Sequence, residues 1–251
     1  MTTAVGADPS YDLARFSLGD MVRCGHELRR LASQAGSMEQ AAQQVAGYLY
    51  GHLRTKTSNQ RCCVLVRLFR TRFYSELPDE LRQYADSMAA GISPSPSTRC
   101  LTLMGTAGDE PSWNSRRASR SHQCIPLGSP AMIEQFPMIS ELIRKLGLTP
   151  AEFLRAGPGI VREMEQKKFG VFYLPAAAGS PCVPAQQEFV LPYQIASVLG
   201  VGGVLPDGDL FALIMFTRVT IPAATAEMFG TIAVNLKLGF LELLDKPVFT
   251  A

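Results

Sequence analysis

The spacing of apolar positions along this chain changes period several times, and each change marks an element. From Leu13 to about Ala35, Met21, Leu28 and Ala35 fall on one line with Cys24 and Leu31 beside it, which predicts an amphipathic helix. Ser37 followed by Gln40 has the form of a capping box and opens a second helix through about His52, with Ala41, Val45, Tyr48 and Leu49 at helical spacing. The period then drops to two. In "CCVLVRLFR" (62–70), Cys62, Val64, Val66 and Leu68 alternate with Cys63, Leu65, Arg67 and Phe69, a strand pattern rich in β-branched residues. Pro78 and the acids behind it start a short helix over 78–90, "GISPSPS" ends it, and "RCLTLMGTA" (99–107) returns to strand.

A polar stretch follows, and then a helix over 137–147 closed by Gly147. Thr149 with Glu152 caps another helical piece, "PGIVREMEQKKFG" (158–170) makes a third, and the brief strand "GVFYLP" comes next. The clearest local signal is "PDGD" between "IASVLGVGGVL" and "LFALIMFTRVTI", since an Asp-Gly turn between two β-rich runs specifies a hairpin. Pro222 stops the second run, and a long helix over about 225–244 closes the pattern. A hairpin within this order of elements implies an antiparallel sheet and an α+β fold. Residues 1–12 read as a flexible tail, and 13–251 as one domain.

Charge and cysteine content narrow the partners. The formal charge of +2 from 24 basic and 22 acidic side chains is too small for a broad phosphate-neutralising surface, so no nucleic acid is expected. The most apolar window is split by "PDGD" into halves of roughly ten residues, short of the ~20 that span a bilayer, so no membrane association is expected. Six cysteines behind an N-terminus with no signal-peptide pattern place the chain in a reducing cytoplasm as buried thiols. No spacing suits zinc, and the vicinal pair Cys62 and Cys63, on a strand, would point to opposite faces.

The stretch "TAGDEPSWNSRRASRSHQCIPL" (106–127) concentrates the only tryptophan, three arginines and a histidine between a strand and a helix. One reading makes it a ligand lid, with Trp113 covering an apolar compound and Asn114, Arg116, Arg117 and His122 converging as polar groups. The other makes it a solvated loop, with Trp113 at the core edge and Asp109 and Glu110 paired with the arginines. His122 has no second histidine near it, so a neutral hydrogen-bonding imidazole is favoured over a metal ligand. "RRASRS" (116–121) has the form of a basophilic kinase site around Ser119 but is too short to mark nucleic-acid binding. Arg67, mid-strand among Cys63, Leu65 and Phe69, needs a partner: a protein carboxylate such as Glu188 or Asp109, or an acidic ligand. The glycines of "GVGGV" precede a hairpin turn and not a helix, so they are close-packing positions and not a phosphate cradle.

The helix "SMEQAAQQVAGYLYGHL", the strand "CCVLVRLFRT", the 100–127 segment and the C-terminal hairpin with its helix together resemble a GAF domain of bacterial signalling proteins, over roughly residues 37–240. The resemblance implies an antiparallel sheet with a small-molecule pocket under helices on one face and the terminal helices on the other. It also implies a non-catalytic sensory role, with Arg67, Trp113, Asn114, Arg116, Arg117, His122 and Tyr193 as candidate ligand contacts. It names no cofactor and no ligand. A homodimer through helices 13–35 and 225–244, signalling to a downstream effector, would cover a terminal helix that is apolar around most of its girth. An intramolecular helix pair explains the same girth. Two alternatives remain: a cysteine-dependent reductase using Cys100 and Cys124, although the glycine-rich cysteine motif of GAF-type methionine sulfoxide reductases is missing, and a ligand-free dimerisation module.

Overall fold

The computed structural model describes residues 9–88, 94–155 and 170–250. Six strands form one antiparallel sheet: β1 (Cys63–Phe73), β2 (Arg99–Gly108), β3 (Cys124–Leu127), β4 (Gly170–Leu174), β5 (Ser197–Val204) and β6 (Leu210–Thr217), in the order β3-β2-β1-β6-β5-β4. Helices cover both faces, so the fold is α+β as the hairpin signal implied. On one face lie α2 (Met38–His52) and α7 (Ala223–Leu241), with α1 (Leu18–Gln34) packed against both and α3 (Asp79–Met88) near β3. The opposite face carries α4 (Pro130–Glu134), α5 (Pro137–Lys145), α6 (Pro150–Arg155) and two long loops, 109–123 and 175–196.

The β5–β6 hairpin turns at Gly208, whose φ of +87° is the left-handed conformation that glycine adopts without steric penalty. The α2 cap also forms: Ser37 Oγ accepts from Gln40 N, while the Gln40 side chain reaches back to Gly36 N. The helix expected from Leu13 begins five residues later. A single 3-10 turn at Leu13–Arg15 precedes Ser17, which makes its own capping box with Asp20 and sets the start of α1. The helix expected over 158–170 lies outside the described residues apart from Gly170, which is in β4.

Three other expectations change. The tail expected to run to residue 12 stops short of it: Tyr11 is buried, donates its N–H to His52 O and meets Tyr48 Oη at 2.8 Å. Asp12 is likewise buried, because its carboxylate accepts from Ala14 N and Lys56 N. Cys62 and Cys63 do not separate to opposite faces. Strand β1 starts at Cys63, its register against β6 shifts between Cys63 and Leu65, and both thiols enter the same core as α1 and α2. Strand β3 was missed within the polar stretch because it is short and contains Pro126, which an edge strand tolerates and a central one does not.

The stripe Phe229, Ile232, Leu236, Phe240 and Leu243 is fully buried, each side chain contributing about 1.5–3 kcal/mol. It packs within the chain, with Phe240 edge-on to Phe211 of β6 at 5.4 Å, while the adjoining side of the helix meets α1. Phe16 stacks 5.3 Å from Phe229, Gly25 faces Asn235, and Gly239 lies so close to Ala32 and the Arg29 carbonyl that a side chain there would overlap them. An intramolecular helix pair therefore covers one side of the apolar girth, while Leu238 on another side stays 37% exposed. On the sheet, Gly105 lets the α2 backbone at Ala42 sit directly on β2, and Gly170 and Gly202 admit Leu142 of α5, the close-packing role expected of "GVGGV".

The hairpin tip is tied to the middle of the sheet by charge. Asp209, 2% exposed, accepts from Arg70 Nε at 2.9 Å and Arg72 Nη1 at 2.9 Å, and lies 3.7 Å from Arg99 Nη1. Arg70 also pairs with Asp207, Arg99 donates to Gly208 O at 3.1 Å, and Leu210 N donates to Thr71 Oγ1 at 2.8 Å. Removing one member of such a buried set strands the others. Asp209→Asn should therefore destabilise the fold by about 3–5 kcal/mol, read as a lowered urea midpoint at constant slope. A loss below about 1 kcal/mol would show that the knot is not a fold determinant.

Candidate ligand-binding site

The second face of the sheet is not filled. Between it and the two long loops lies a cavity of about 420 Å³, floored by Leu65, Arg67 and Phe69 of β1, Leu101 of β2, Ile125 of β3 and Ile214 and Phe216 of β6. Three segments roof it. Loop 109–123 supplies Trp113, Ser121 and His122, the start of α5 supplies Phe136 to Ile139, and loop 175–196 supplies Cys182 to Ala185, Glu188 and Phe189.

Each roof is held by its own side chains. In the first loop, Asn114 Nδ2 donates to Gly108 O (3.0 Å) and Glu110 O (2.9 Å), while Oδ1 accepts from Gly108 N (3.0 Å). Thr106 Oγ1 donates to Trp113 O at 2.8 Å, which fixes a 3-10 turn at Pro111–Trp113. The indole then meets Phe189 edge-on at 5.7 Å and Tyr193 at 4.8 Å, and Tyr193 donates to Glu110 Oε1 at 2.9 Å. In the second loop, Gln186 Nε2 donates to the carbonyls of Ala177, Ser180 and Val183 while its Oε1 accepts from Gly179 N. That side chain folds the uncharged Pro/Ala segment into a compact cover and leads into a π-type turn, Gln186–Val190, which carries Glu188 and Phe189.

Of the residues expected to contact a ligand, Arg67, Trp113 and His122 line the cavity. Tyr193 does not; it supports Trp113 from behind. Asn114, Arg116 and Arg117 do not either, and line instead a separate polar cleft between the loop and α2. Arg116 is 3% exposed, with Nε 2.9 Å from Glu39 and Nη1 2.9 Å from Glu80, and Arg117 sits exposed 3.7 Å from Glu80. Arg116 and Arg117 thus pair with acids of α2 and α3, not with Asp109 and Glu110 as the solvated-loop reading supposed; Asp109 pairs with Arg218. Ser119 is 2% exposed and donates to Ser121 O, so a kinase does not reach it in this conformation.

Arg67 is the electrostatic feature of the cavity. It is 7% exposed, and no carboxylate among the described residues lies within ion-pair distance; neither Glu188 nor Asp109 takes the place expected of it. Its Nη2 donates to Ser119 Oγ at 3.2 Å, its Nη1 approaches Ser121 O at 3.5 Å and His122 Nδ1 at 3.4 Å, and Nε is buried without a hydrogen-bond partner. Burial lowers its pKa to about 10, which leaves it charged at neutral pH. His122 stands at the cavity mouth with φ +61°, its ring edge-on to Phe136. Desolvation by the surrounding chain, and then the Arg67 charge, lower its pKa and keep the imidazole neutral. Nδ1 faces Arg67 Nη1, which can only donate, so the tautomer protonated on Nε2 is the one that suits this contact.

The sequence did not single out Phe136, Cys182 or Phe189. They lie in segments of low charge with no motif, and the two prolines and absence of charge in "AAAGSPCVPAQQ" (176–187) are the one available hint. The Cys100–Cys124 pair lies away from the cavity, among Leu77, Leu81 and Ala85. Mutual hydrogen bonding and then burial raise the Cys100 pKa, while Cys124 is lowered chiefly by the bond from Cys100. Among the described residues no group of three or more His, Cys, Asp or Glu is placed to hold a metal ion, and no helix is long and apolar enough to cross a membrane.

No protein-family model and no curated protein matches the chain. Among solved structures it is similar to free methionine-R-sulfoxide reductase of Neisseria meningitidis in complex with its substrate, at 11% identity and TM-score 0.45 over 92% of this chain and 96% of that one. It is also similar to the GAF domain of a phosphoenolpyruvate-protein phosphotransferase of Coxiella burnetii, at 15% identity and TM-score 0.43 over 88% and 92%. A third is the phycoerythrobilin-bound GAF domain of a cyanobacterial phytochrome, at 11% and 0.38 over 91% and 98%. At these scores the likeness brings no ligand, activity or assembly to this chain.

Two outcomes follow from the geometry. Arg67→Met removes an unmatched buried charge and should leave the melting temperature unchanged or raise it; a loss of more than about 2 kcal/mol would show that the guanidinium is part of the fold. Of six cysteines only Cys182 is partly exposed, so brief iodoacetamide treatment of the native protein should give one adduct by mass spectrometry, at Cys182. Comparable labelling of a second cysteine would contradict the burial described.

Proposed function

We propose that the chain is a non-catalytic regulatory module that binds a small molecule in the cavity beside the sheet. The cavity itself carries this reading: its walls are aliphatic and aromatic, its few polar groups converge, and its volume falls in the range typical of small-molecule sites. Cavity chemistry does not favour catalysis. The neutral His122 and the exposed Glu188 have no nucleophile hydrogen-bonded to either of them among the described residues, and the Cys100–Cys124 pair expected of a reductase is buried elsewhere.

The same loop that carries Trp113 and His122 provides a path outward. Arg116 binds Glu39 on the first turn of α2, and Glu39 also accepts from Thr250 N and Oγ1 at 2.9 Å each. Burial alone would raise the Glu39 pKa, but the hydrogen bonds from Arg116 and Thr250 outweigh it and hold it below the ordinary range. Residues 246–250 meanwhile strap the start of α2, with Met38 N and Glu39 N donating to the carbonyls of Pro247 and Val248. A ligand that prefers one loop position therefore biases the segment following α7, which is the output of the module. A homodimer contact fits on α1, where Leu18 and Val22 stand exposed one turn apart, with a downstream effector reading the terminal helices.

Trp113 is the only tryptophan, so its emission reports on the cavity alone. Nile red or a metabolite from a screening panel should shift that emission and raise the melting temperature, by about 2.7 kcal/mol of stability at a hundredfold excess over Kd. Ala185→Phe, which places a ring at the cavity wall, should abolish both responses in a folded protein. Turnover of a thiol-dependent substrate that is lost in Cys182→Ser would replace this reading with an enzymatic one.

A further inference from the structure

The binding reading can be carried to a class of ligand, and the step rests on that reading. We propose that the cavity is a monocarboxylate site, in which a small compound with an apolar body sets its single carboxylate against the guanidinium of Arg67. Four arginines are buried among the described residues: Arg67, Arg70, Arg99 and Arg116. Three of them face carboxylates of this chain, Arg70 and Arg99 at Asp209 and Arg116 at Glu39. Arg67 alone of the four has only neutral partners, at 3.2 to 3.5 Å, and a buried Nε with none.

The position is as informative as the vacancy of partners. Arg67 sits mid-way along a central strand, opposite Thr106 of β2 and Ile214 of β6, and projects between Leu65 and Phe69 into the cavity floor. Its guanidinium is buried there with no carboxylate of this chain beside it among the described residues, so an anion within the cavity would match its charge. The planar N–H fork fits a carboxylate through two parallel hydrogen bonds, and such charge-assisted bonds are about twice as strong as neutral ones. His122 adds a second donor through Nε2–H without adding charge.

Ligand charge is limited by what else lines the cavity. Among the described residues Arg67 is the only cation lining it, and the exposed Glu188, also in the lining, makes no ion pair or hydrogen bond with them, so a second negative charge on the ligand would be opposed. The remaining wall is hydrocarbon, led by Trp113, Phe136, Phe189 and Phe216, and has too few donors to replace the hydration of a phosphate. One carboxylate on an aromatic or alkyl body satisfies both conditions.

The test uses the emission of Trp113 and three matched pairs of probes: benzoate, 4-phenylbutyrate and octanoate, each against its primary amide, with inorganic phosphate and neutral Nile red as controls. At least one acid should bind ten times or more tightly than its amide. In Arg67→Met, shown to be folded by circular dichroism and melting temperature, the acid should fall to the affinity of the amide, while Nile red binding is retained. Phosphate should not bind. Equal affinity for acid and amide, or Nile red binding with no response to any acid, overturns the carboxylate site and leaves the cavity reading standing. No response to acids, amides or Nile red overturns both, and phosphate binding as tight as that of the best acid overturns the restriction to one charge.

Discussion

A guanidinium taken out of water must be matched, and how this chain matches its buried arginines orders both the fold and the site. At the hairpin tip, Asp209 draws Arg70, Arg72 and Arg99 together and so fixes the β5–β6 turn to β1 and β2. At the loop between β2 and β3, Arg116 draws in Glu39 and Glu80 from two helices and pins the roof of the cavity. Both sets join segments far apart in sequence, which apolar contacts alone position with less directional precision. Arg67 lies on the same strand as Arg70, three residues away, yet only the side chain facing the cavity is left without a carboxylate. Burying an unmatched charge costs stability, so the one buried arginine left without a carboxylate is the point at which the proposed ligand site is argued.

Elements with a local cause were legible in the sequence. The hairpin followed from Asp207-Gly208, α2 from Ser37 and Gln40, and the apolar stripe of α7 from its spacing; none of these depends on a distant partner. Where tertiary context decided, the pattern misled. Strand β3 exists because its edge position tolerates Pro126, and Tyr11 is ordered because the C-terminal end of α2 offers it a carbonyl. The faces of Cys62 and Cys63 follow a register shift against β6 that alternation cannot encode.

At the site, residue type pointed to the right stretch but not to the right division of labour. Charged and aromatic side chains between 109 and 123 were all plausible ligand contacts, because sequence shows what a side chain can bond and not what already bonds it. Asn114 is consumed by the backbone of its own loop, Arg116 by two helix acids, and Tyr193 by Glu110. The partners of Asn114 are local and could have been anticipated from its turn-forming habit. Those of Arg116 and Tyr193 are dozens of residues away. Arg67 was readable for the converse reason: a charged residue in the middle of an apolar alternation is conspicuous whatever surrounds it.

On the proposed reading, the arrangement also bears on how binding would be felt at a distance. Arg67 presently shares its N–H groups with Ser119, Ser121 and His122, so a ligand oxyanion competes with the loop for the same donors. The loop contacts from the segment 119–122 are long and neutral, 3.2 to 3.5 Å, and weaker than the charge-assisted bonds that the proposed carboxylate would make. Two residues upstream of that segment, Arg117 is loosely held, but Arg116 is clamped to Glu39, the acid that also holds Thr250. Displacement of the loop thus meets a stiff charge pair at the start of α2 and not a compliant apolar contact. The strap itself is held to the start of α2 by further bonds, from Met38 N and Glu39 N to Pro247 O and Val248 O and from Thr250 to Glu39, so the Arg116–Glu39 pair is one of several ties between the loop and the C-terminal segment.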